Sequence, residues 1–593
     1  MKKERKNDNE NLLEYFRYHA KLKKKEIFIA ISIMILSALV DSLGISLIVP
    51  AVNILIDFND TNSGDLIPYI KNIFNILSIP YSLRYVLGLT AIIMLVRSVL
   101  IFSQNTYCGY LNSRYRTSSR EKLLIKLNNS SWNSFKSETQ TKLISLLTLE
   151  ATRIGSGYVY FIQFLSNIFV AVVYLIFLIF VSYKITIFAI IVAVIITLGF
   201  SVLSKISNKL GKEQTILGLK YLALMTNYFN LSKYLRVHGK DLLLRNNLFN
   251  HQKLIHKNFK KNTINDSVLF STYEYAFIGF LLLGLTVSTR YLDASPSSLT
   301  LMSLIFFRLF QKTRAAQQSL QLLNKNLYSH FLFNQTLNSF EDDVKWGASK
   351  FTNVTNQIHV KNISFNRGSQ NIFTDASTKI KSNSTTLIVG PSGWGKTTLV
   401  DLLIGLIHPE KGEIRYDDKN LYEYDKYSFK SSIGYVDQNA LMFNDTIINN
   451  LTWANPNATK KKIVEISKKL KMDSKIKSFP KGYNSQIGDL GSKLSGGEKQ
   501  RLAIIRALLT NPKILILDEA FNQIDSESKI PLIKTIREMQ ADTTIIIITH
   551  TPDTLPLADK IIEVKNNKIK TLPKNTNWSK YFGAEGESRT RTP

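Results

Sequence analysis

From Ile154 to Tyr183 the chain carries no charged residue, and after Lys184 a second uncharged run extends from Ile185 to Ser204. A helix needs about 20 mostly apolar residues to cross the hydrocarbon core of a bilayer. Two such runs joined by one lysine therefore read as a tight membrane hairpin. Four more candidates flank it: 27–56, interrupted by Asp41 and Pro50; 85–111, interrupted by Arg97; 273–289; and 299–310, running on into Gln311. Six spans are expected.

The loops give the orientation. Lys21, Lys23, Lys24 and Lys25 precede the first span, Arg114, Arg116, Arg120, Lys122, Lys126, Lys136, Lys142 and Arg153 lie between the second and third, and 205–272 is again basic. The alternate connections carry Asp57, Asp60 and Asp65, or Asp293 with Ser and Pro. The positive-inside rule puts the basic loops and both termini in the cytoplasm. A net charge of +30 would otherwise invite a nucleic-acid reading, but its location in these loops favours the membrane and no nucleic-acid partner is expected. The one cysteine, Cys108, excludes a disulfide framework and a cysteine metal site. Met1 to Glu26 is polar and Lys-rich, unlike a cleavable signal or a cysteine protease domain. In the basic connections leucines recur at spacings of three and four (Leu123, Leu124, Leu127; Leu143, Leu146, Leu147). These read as helical extensions of the spans into the cytoplasm.

Around residue 350 the composition becomes that of a soluble protein, and strands alternate with helices to about Phe582, the pattern of an α/β nucleotide-binding domain. The expected organisation is an N-terminal segment 1–26, a membrane domain 27–324, a linker 325–350, a nucleotide-binding domain 351–582 and a disordered tail 583–593. The fold class is an all-α six-helix membrane domain followed by an α/β phosphate-loop domain.

Three motifs carry chemistry. The strand Thr385 to Val389 runs into Gly390, Pro391, Ser392, Gly393, Trp394, Gly395, Lys396 and Thr397, with Thr398 next. The glycines let successive amides curl around an anion, and the following helix points its positive end at it. Lys396 can reach the β and γ phosphates of ATP, and the Thr397 hydroxyl can ligate Mg2+. The apolar strand Ile514 to Leu517 delivers Asp518 and Glu519 at its tip. Asp518 is the expected metal ligand, and Glu519 the base that polarises the attacking water.

The third motif, Leu494-Ser495-Gly496-Gly497-Glu498-Lys499-Gln500-Arg501, lies between the other two and resembles the signature of ATP-binding cassette proteins. That resemblance implies further roles. Gln438 would contact magnesium, Asp525 would close the loop facing a partner subunit, and His550 would contact the γ-phosphate. It also implies that ATP lies between the phosphate loop of one subunit and Ser495, Gly496 and Gly497 of another, hence a homodimer. There are two departures from the family. Arg367 stands where an adenine-stacking aromatic is usual, and Phe521-Asn522-Gln523-Ile524 replaces commonly small residues. A guanidinium plane can stack on a base.

Spans preceding the cassette on one chain resemble exporter-type half-transporters. The stretch Asp41 to Pro50, the segment Leu66 to Phe74, and arginines in the second and sixth spans, Arg97 and Arg308, resemble bacterial lipid-linked oligosaccharide flippases of the inner membrane. The resemblance implies a polyprenyl-diphosphate-linked glycan substrate gripped by these arginines. Ionisable groups inside spans are costly and face a cavity or a partner. The alternatives for Arg97 and Arg308 are snorkelling to an interface or an internal pair with Asp41 or Glu274. Lipid A, peptide or drug export, and a non-transporting cassette regulator, are the rival functions.

Overall fold

The computed structural model describes residues 24–47, 80–181, 183–291, 296–539, 541–550 and 552–573, with Leu12, 14–17, Asn72 and 74–75. Most of the expected surface helix 66–74, the acidic connections after the first and fifth spans, and the tail 583–593 lie outside the described residues. Two compact units separate by contacts. The first holds residues 1–130 and 134–341, and the second residues 131–133 and 342–593.

The first unit is helical. Its long helices are α1 (Lys24–Ser46), α2 (Leu83–Asn129), α3 (Ala151–Val181), α4 (Tyr183–Val237), α5 (Asp241–Tyr291) and α6 (Pro296–Ser339). Three segments among the described residues are long and apolar enough to cross a membrane: Lys24–Gly44, Leu83–Asn129 and Gln140–Ile176. α4, α5 and α6 contain the other three expected spans. Phe28, Leu95, Val99 and Phe102 expose more than 60% of their surface, which water would penalise and acyl chains would not.

α2, α4 and α6 outrun their apolar blocks, because buried apolar residues such as Leu123 and Leu210 continue into polar sequence. Leu323, Leu327, Leu332 and Phe333 are buried on α6. Residues 325–339, read from composition as the start of a linker, are therefore helical, and the first unit ends at Glu341.

Polar contacts tie the helices together. Glu150 closes a π-helical turn, Leu146–Glu150, just before α3. It is 2% exposed, accepts a hydrogen bond from Ser329 Oγ at 2.5 Å, and pairs with Arg153 at 3.0 Å. Arg153 also donates to Thr215 Oγ1 at 2.7 Å. One carboxylate thus joins α3, α4 and α6, and its burial is tolerable because its oxygens are occupied.

The second unit contains two sheets. An antiparallel sheet has the order β2 (Gln370–Lys381), β1 (Gln357–Arg367), β4 (Lys411–Tyr416), β5 (Lys419–Asn420). The larger sheet has the order β10 (Lys568–Leu572), β9 (Lys560–Lys565), β3 (Thr385–Val389), β8 (Thr544–Ile548), β7 (Ile514–Asp518), β6 (Ile433–Val436). In it β9, β3, β8, β7 and β6 run parallel. β3, β7 and β8 are buried at every residue. A parallel strand covered on both faces needs a continuous apolar run of this kind, here Thr-Thr-Leu-Ile-Val, Ile-Leu-Ile-Leu-Asp and Thr-Ile-Ile-Ile-Ile.

Two apolar cores result. One holds Leu387, Leu515, Leu517 and Ile545 with Leu502, Ile505 and Ile533. The other holds Ile388, Ile516 and Ile546 with Leu399, Leu403 and the antiparallel sheet. Alternate residues of the same strands divide between them, so the central sheet is the layer that separates the cores.

Candidate functional site

In open parallel sheets ligands gather at the carboxyl ends of the strands. The order β3, β8, β7, β6 sets four of the sequence motifs side by side there. The phosphate loop leaves β3, His550 follows β8, Asp518 and Glu519 end β7, and Gln438 follows β6.

The phosphate loop enters helix α7 (Lys396–Leu403) through Gly395. Gly395 has φ 98°, and a Cβ there would lie 2.6 Å from Ile372 of β2, so backbone and space both require glycine. The same contact sets the β1–β2 hairpin against the loop. Arg367, exposed at the end of β1, pairs with Gln370 across the hairpin turn. Lys396 is 6% exposed and donates to the carbonyls of Gly390 and Pro391, both at 2.9 Å. Burial lowers its pKa, against the pull of Glu519 and Asp518 in the opposite direction. The two carboxylates are thus within electrostatic reach of the lysine.

Asp518 is 3% exposed. Burial first, and then Glu519, Asp437 and Asp401, push its carboxyl up to about 6 against a hydrogen bond from Thr397. A buried carboxylate amid three others and beside a threonine hydroxyl is a surplus of negative charge with hard oxygen donors, which fits a divalent cation of the magnesium type. Among the described residues no group of three or more His, Cys, Asp or Glu could hold a metal unaided. Phosphate oxygens would have to complete such a shell.

Glu519 has a left-handed backbone, φ 50°. Its Oε2 accepts from Gln438 Nε2 at 2.8 Å and from Asn522 Nδ2 at 2.7 Å, and its Oε1 lies 2.9 Å from His550 Nε2. Burial lowers the His550 pKa and Lys396 adds to this, while Glu519 opposes both. The imidazole is therefore biased toward neutrality. Asn522 was visible in the sequence only as a departure from the family's small residues. Its reach to Glu519 depends on the turn between them, where the Asn522 amide donates to the Glu519 carbonyl at 3.2 Å.

The signature residues sit elsewhere in the unit. Ser495 caps helix α8 (Gly496–Leu508) in a reciprocal capping box with Glu498. Gly496 and Gly497 lie against Gln523, and Asp525 pairs with Arg501 at 3.6 Å. In the first unit, Arg97 Nε lies 2.7 Å and Arg308 Nε 3.6 Å from the two oxygens of Asp41. Tyr174 donates to Asp41 Oδ2 at 2.7 Å. Of the alternatives open in the sequence, the internal pair with Asp41 is therefore formed. Glu274 lies instead 3.6 Å from Arg314.

Residues 373–522 match the ABC transporter domain family, and residues 27–226 match the ABC transporter transmembrane region. Among curated proteins, the chain is 40% identical over 201 residues to ABC transporter ATM1 of Toxoplasma gondii, covering 34% of this chain and 18% of that protein. It is 35% identical over 227 residues to the putative multidrug export ATP-binding/permease protein YgaD of Bacillus subtilis, covering 38% and 39%. It is 33% identical over 222 residues to an ATP-dependent lipid A-core flippase of Syntrophus aciditrophicus, covering 37% of each. The matches thus span from 18% to 39% of the length of these three relatives. A solved bacterial Atm1-family ABC exporter with ATP bound superposes with TM-score 0.80 at 18% identity, covering 96% of this chain and all of that one. The chain therefore joins an ABC transporter transmembrane region to an ABC transporter nucleotide-binding domain in the fold of an ABC exporter, a domain family that implies an ATP-hydrolysing transporter.

Proposed function

We propose that the chain is one half of an ATP-driven exporter, that two copies form the working dimer, and that it flips a lipid-linked oligosaccharide carried on a polyprenyl diphosphate. The observation that carries the enzymatic part is the convergence of Gln438, Asn522 and His550 on the Glu519 carboxylate beside Lys396. In this reading Glu519 takes a proton from water as the water oxygen attacks the γ-phosphorus. The bond to the bridging oxygen breaks, and ADP and phosphate leave. Lys396 and the loop amides of 390 and 392–397 hold the phosphates, and His550 orients the γ-phosphate. Thr397, Gln438 and Asp518 would hold Mg2+, which when bound neutralises charge on the phosphate oxygens. Arg367 lies against the adenine.

One chain carries one phosphate loop and one signature. A second copy supplies Ser495, Gly496, Gly497 and the loop of Asp525 to complete each nucleotide site. The basic loops favour a bacterial inner-membrane protein with the cassette and both termini on the cytoplasmic side.

For the substrate, the support is the Asp41 cluster. Two arginines share one carboxylate, and Lys312 lies within electrostatic reach of all three. The surplus positive charge suits an anionic diphosphate. The likeness to a lipid A-core flippase favours lipid A as the second reading. The test is reconstitution in liposomes, comparing ATP-dependent flipping of a polyprenyl-diphosphate glycan with that of lipid A. Faster flipping of the diphosphate lipid supports the first reading, and preference for lipid A or flipping of neither overturns it.

A further inference from the structure

A carboxylate that serves as a base must present one oxygen to water, yet the last torsion of a glutamate is broad and two-fold. Something has to choose the oxygen. In this cassette Oε2 of Glu519 is held from two sides, by Gln438 at 2.8 Å and by Asn522 at 2.7 Å. The two donors are not equivalent. The Gln438 amide is also claimed by the proposed cation site, whereas Asn522 has no part in that site.

Asn522 is anchored independently. Its backbone amide closes a turn onto the Glu519 carbonyl, and the next amide, that of Gln523, donates to Gln500 Oε1 at 3.0 Å. Gln500 is 1% exposed on α8, so the turn rests on a buried side chain. The left-handed backbone of Glu519 brings its carboxylate back over this turn, within reach of a side chain three residues on.

We infer that Asn522 is a positioning residue for Glu519, fixing Oε2 so that Oε1, on the His550 side, is the oxygen that receives the proton. The inference rests on the proposed role of Glu519 as the base. Asn522 acts through Glu519, whose Oε2 its side-chain amide holds. Its loss therefore slows turnover without weakening ATP binding. Its side chain is exposed, so substitutions there leave the core intact.

The test is steady-state ATP hydrolysis by the full-length protein in lipid nanodiscs, comparing wild type with N522A, N522D, N522Q and E519Q. The expected result for N522A and N522D is a fall in kcat of about tenfold, within the roughly hundredfold that misplacing a reacting group by about 1 Å can cost, with KM for ATP within twofold of wild type. N522Q, which keeps an amide donor on a longer arm, recovers at least half of the lost kcat. Wild-type kcat in N522A, a rise in KM as large as the fall in kcat, or no recovery in N522Q overturns the inference. Undiminished turnover in E519Q removes the underlying reading of Glu519 instead, so the two failures are told apart.

Discussion

His550 Nε2 stands 2.9 Å from Glu519 Oε1, between residues that leave the tips of adjacent parallel strands. The contact links the side of the site nearest the phosphate loop to the carboxylate proposed as base. Because β8 lies between β3 and β7, a side chain just beyond β8 can face both. His550→Ala is expected to lower ATP turnover about a hundredfold, the scale for losing one preorganised electrostatic donor, with little change in ATP affinity. Turnover assays paired with binding of a fluorescent ATP analogue check this.

A Cβ on Gly497 would lie 2.9 Å from the carbonyl oxygen of Gln523. Backbone cannot swing away as a side-chain tip can, so Gly497→Ala displaces the start of α8. The expected result is hydrolysis reduced by at least tenfold while ATP still binds, because the phosphate loop lies on another strand. Isothermal titration with ATP and a phosphate-release assay separate the two effects.

Asp417 accepts hydrogen bonds from the amides of Thr355, Asn356 and Gln357 at 2.7–3.0 Å and from the Thr355 hydroxyl. Burial pushes its pKa up, but these donors outweigh it and hold the carboxyl below its usual range. A folded pKa below the unfolded one, about 3.9, means stability fully present above that value and lost as pH falls through the folded pKa. Asp417→Asn is expected to destabilise the cassette by about 1–2 kcal/mol at pH 7, with the difference shrinking below pH 4. Thermal melts of the two proteins across that range provide the check.

Asp41 is 3% exposed and serves Arg97, Arg308 and Tyr174 together. Removing one partner of a buried pair strands the others, at a cost of about 3–5 kcal/mol. Asp41→Leu is therefore expected to lower the melting temperature of the detergent-solubilised protein more than Arg97→Ala or Arg308→Ala. The two arginine variants are expected to reduce flipping of a diphosphate lipid while basal ATP hydrolysis changes less than twofold. Unaltered flipping in both variants contradicts the diphosphate reading.

The cassette was legible in the sequence because its motifs are local. A buried strand, a glycine-rich turn and a helix follow one another within 385–403, and the two carboxylates end an apolar strand. What sequence could not supply was anything set by distant residues. Asp41, Arg97 and Arg308 come from three helices, and the choice between an internal pair and separate roles depended on their packing. Asn522 looked like a departure from a family pattern, and only the turn at Glu519 shows what its amide touches. The reach of α6 was missed for a related reason. Lys325 and Asn326 read as linker, yet Leu323 and Leu327 on the same stretch are fully or almost fully buried.

The central claim is that Glu519 is the base for ATP hydrolysis. The direct measurement is phosphate release by purified Glu519→Gln alongside ATP binding by the same preparation. Bound ATP with turnover at least a hundredfold below wild type is the predicted result. Turnover equal to wild type contradicts the account.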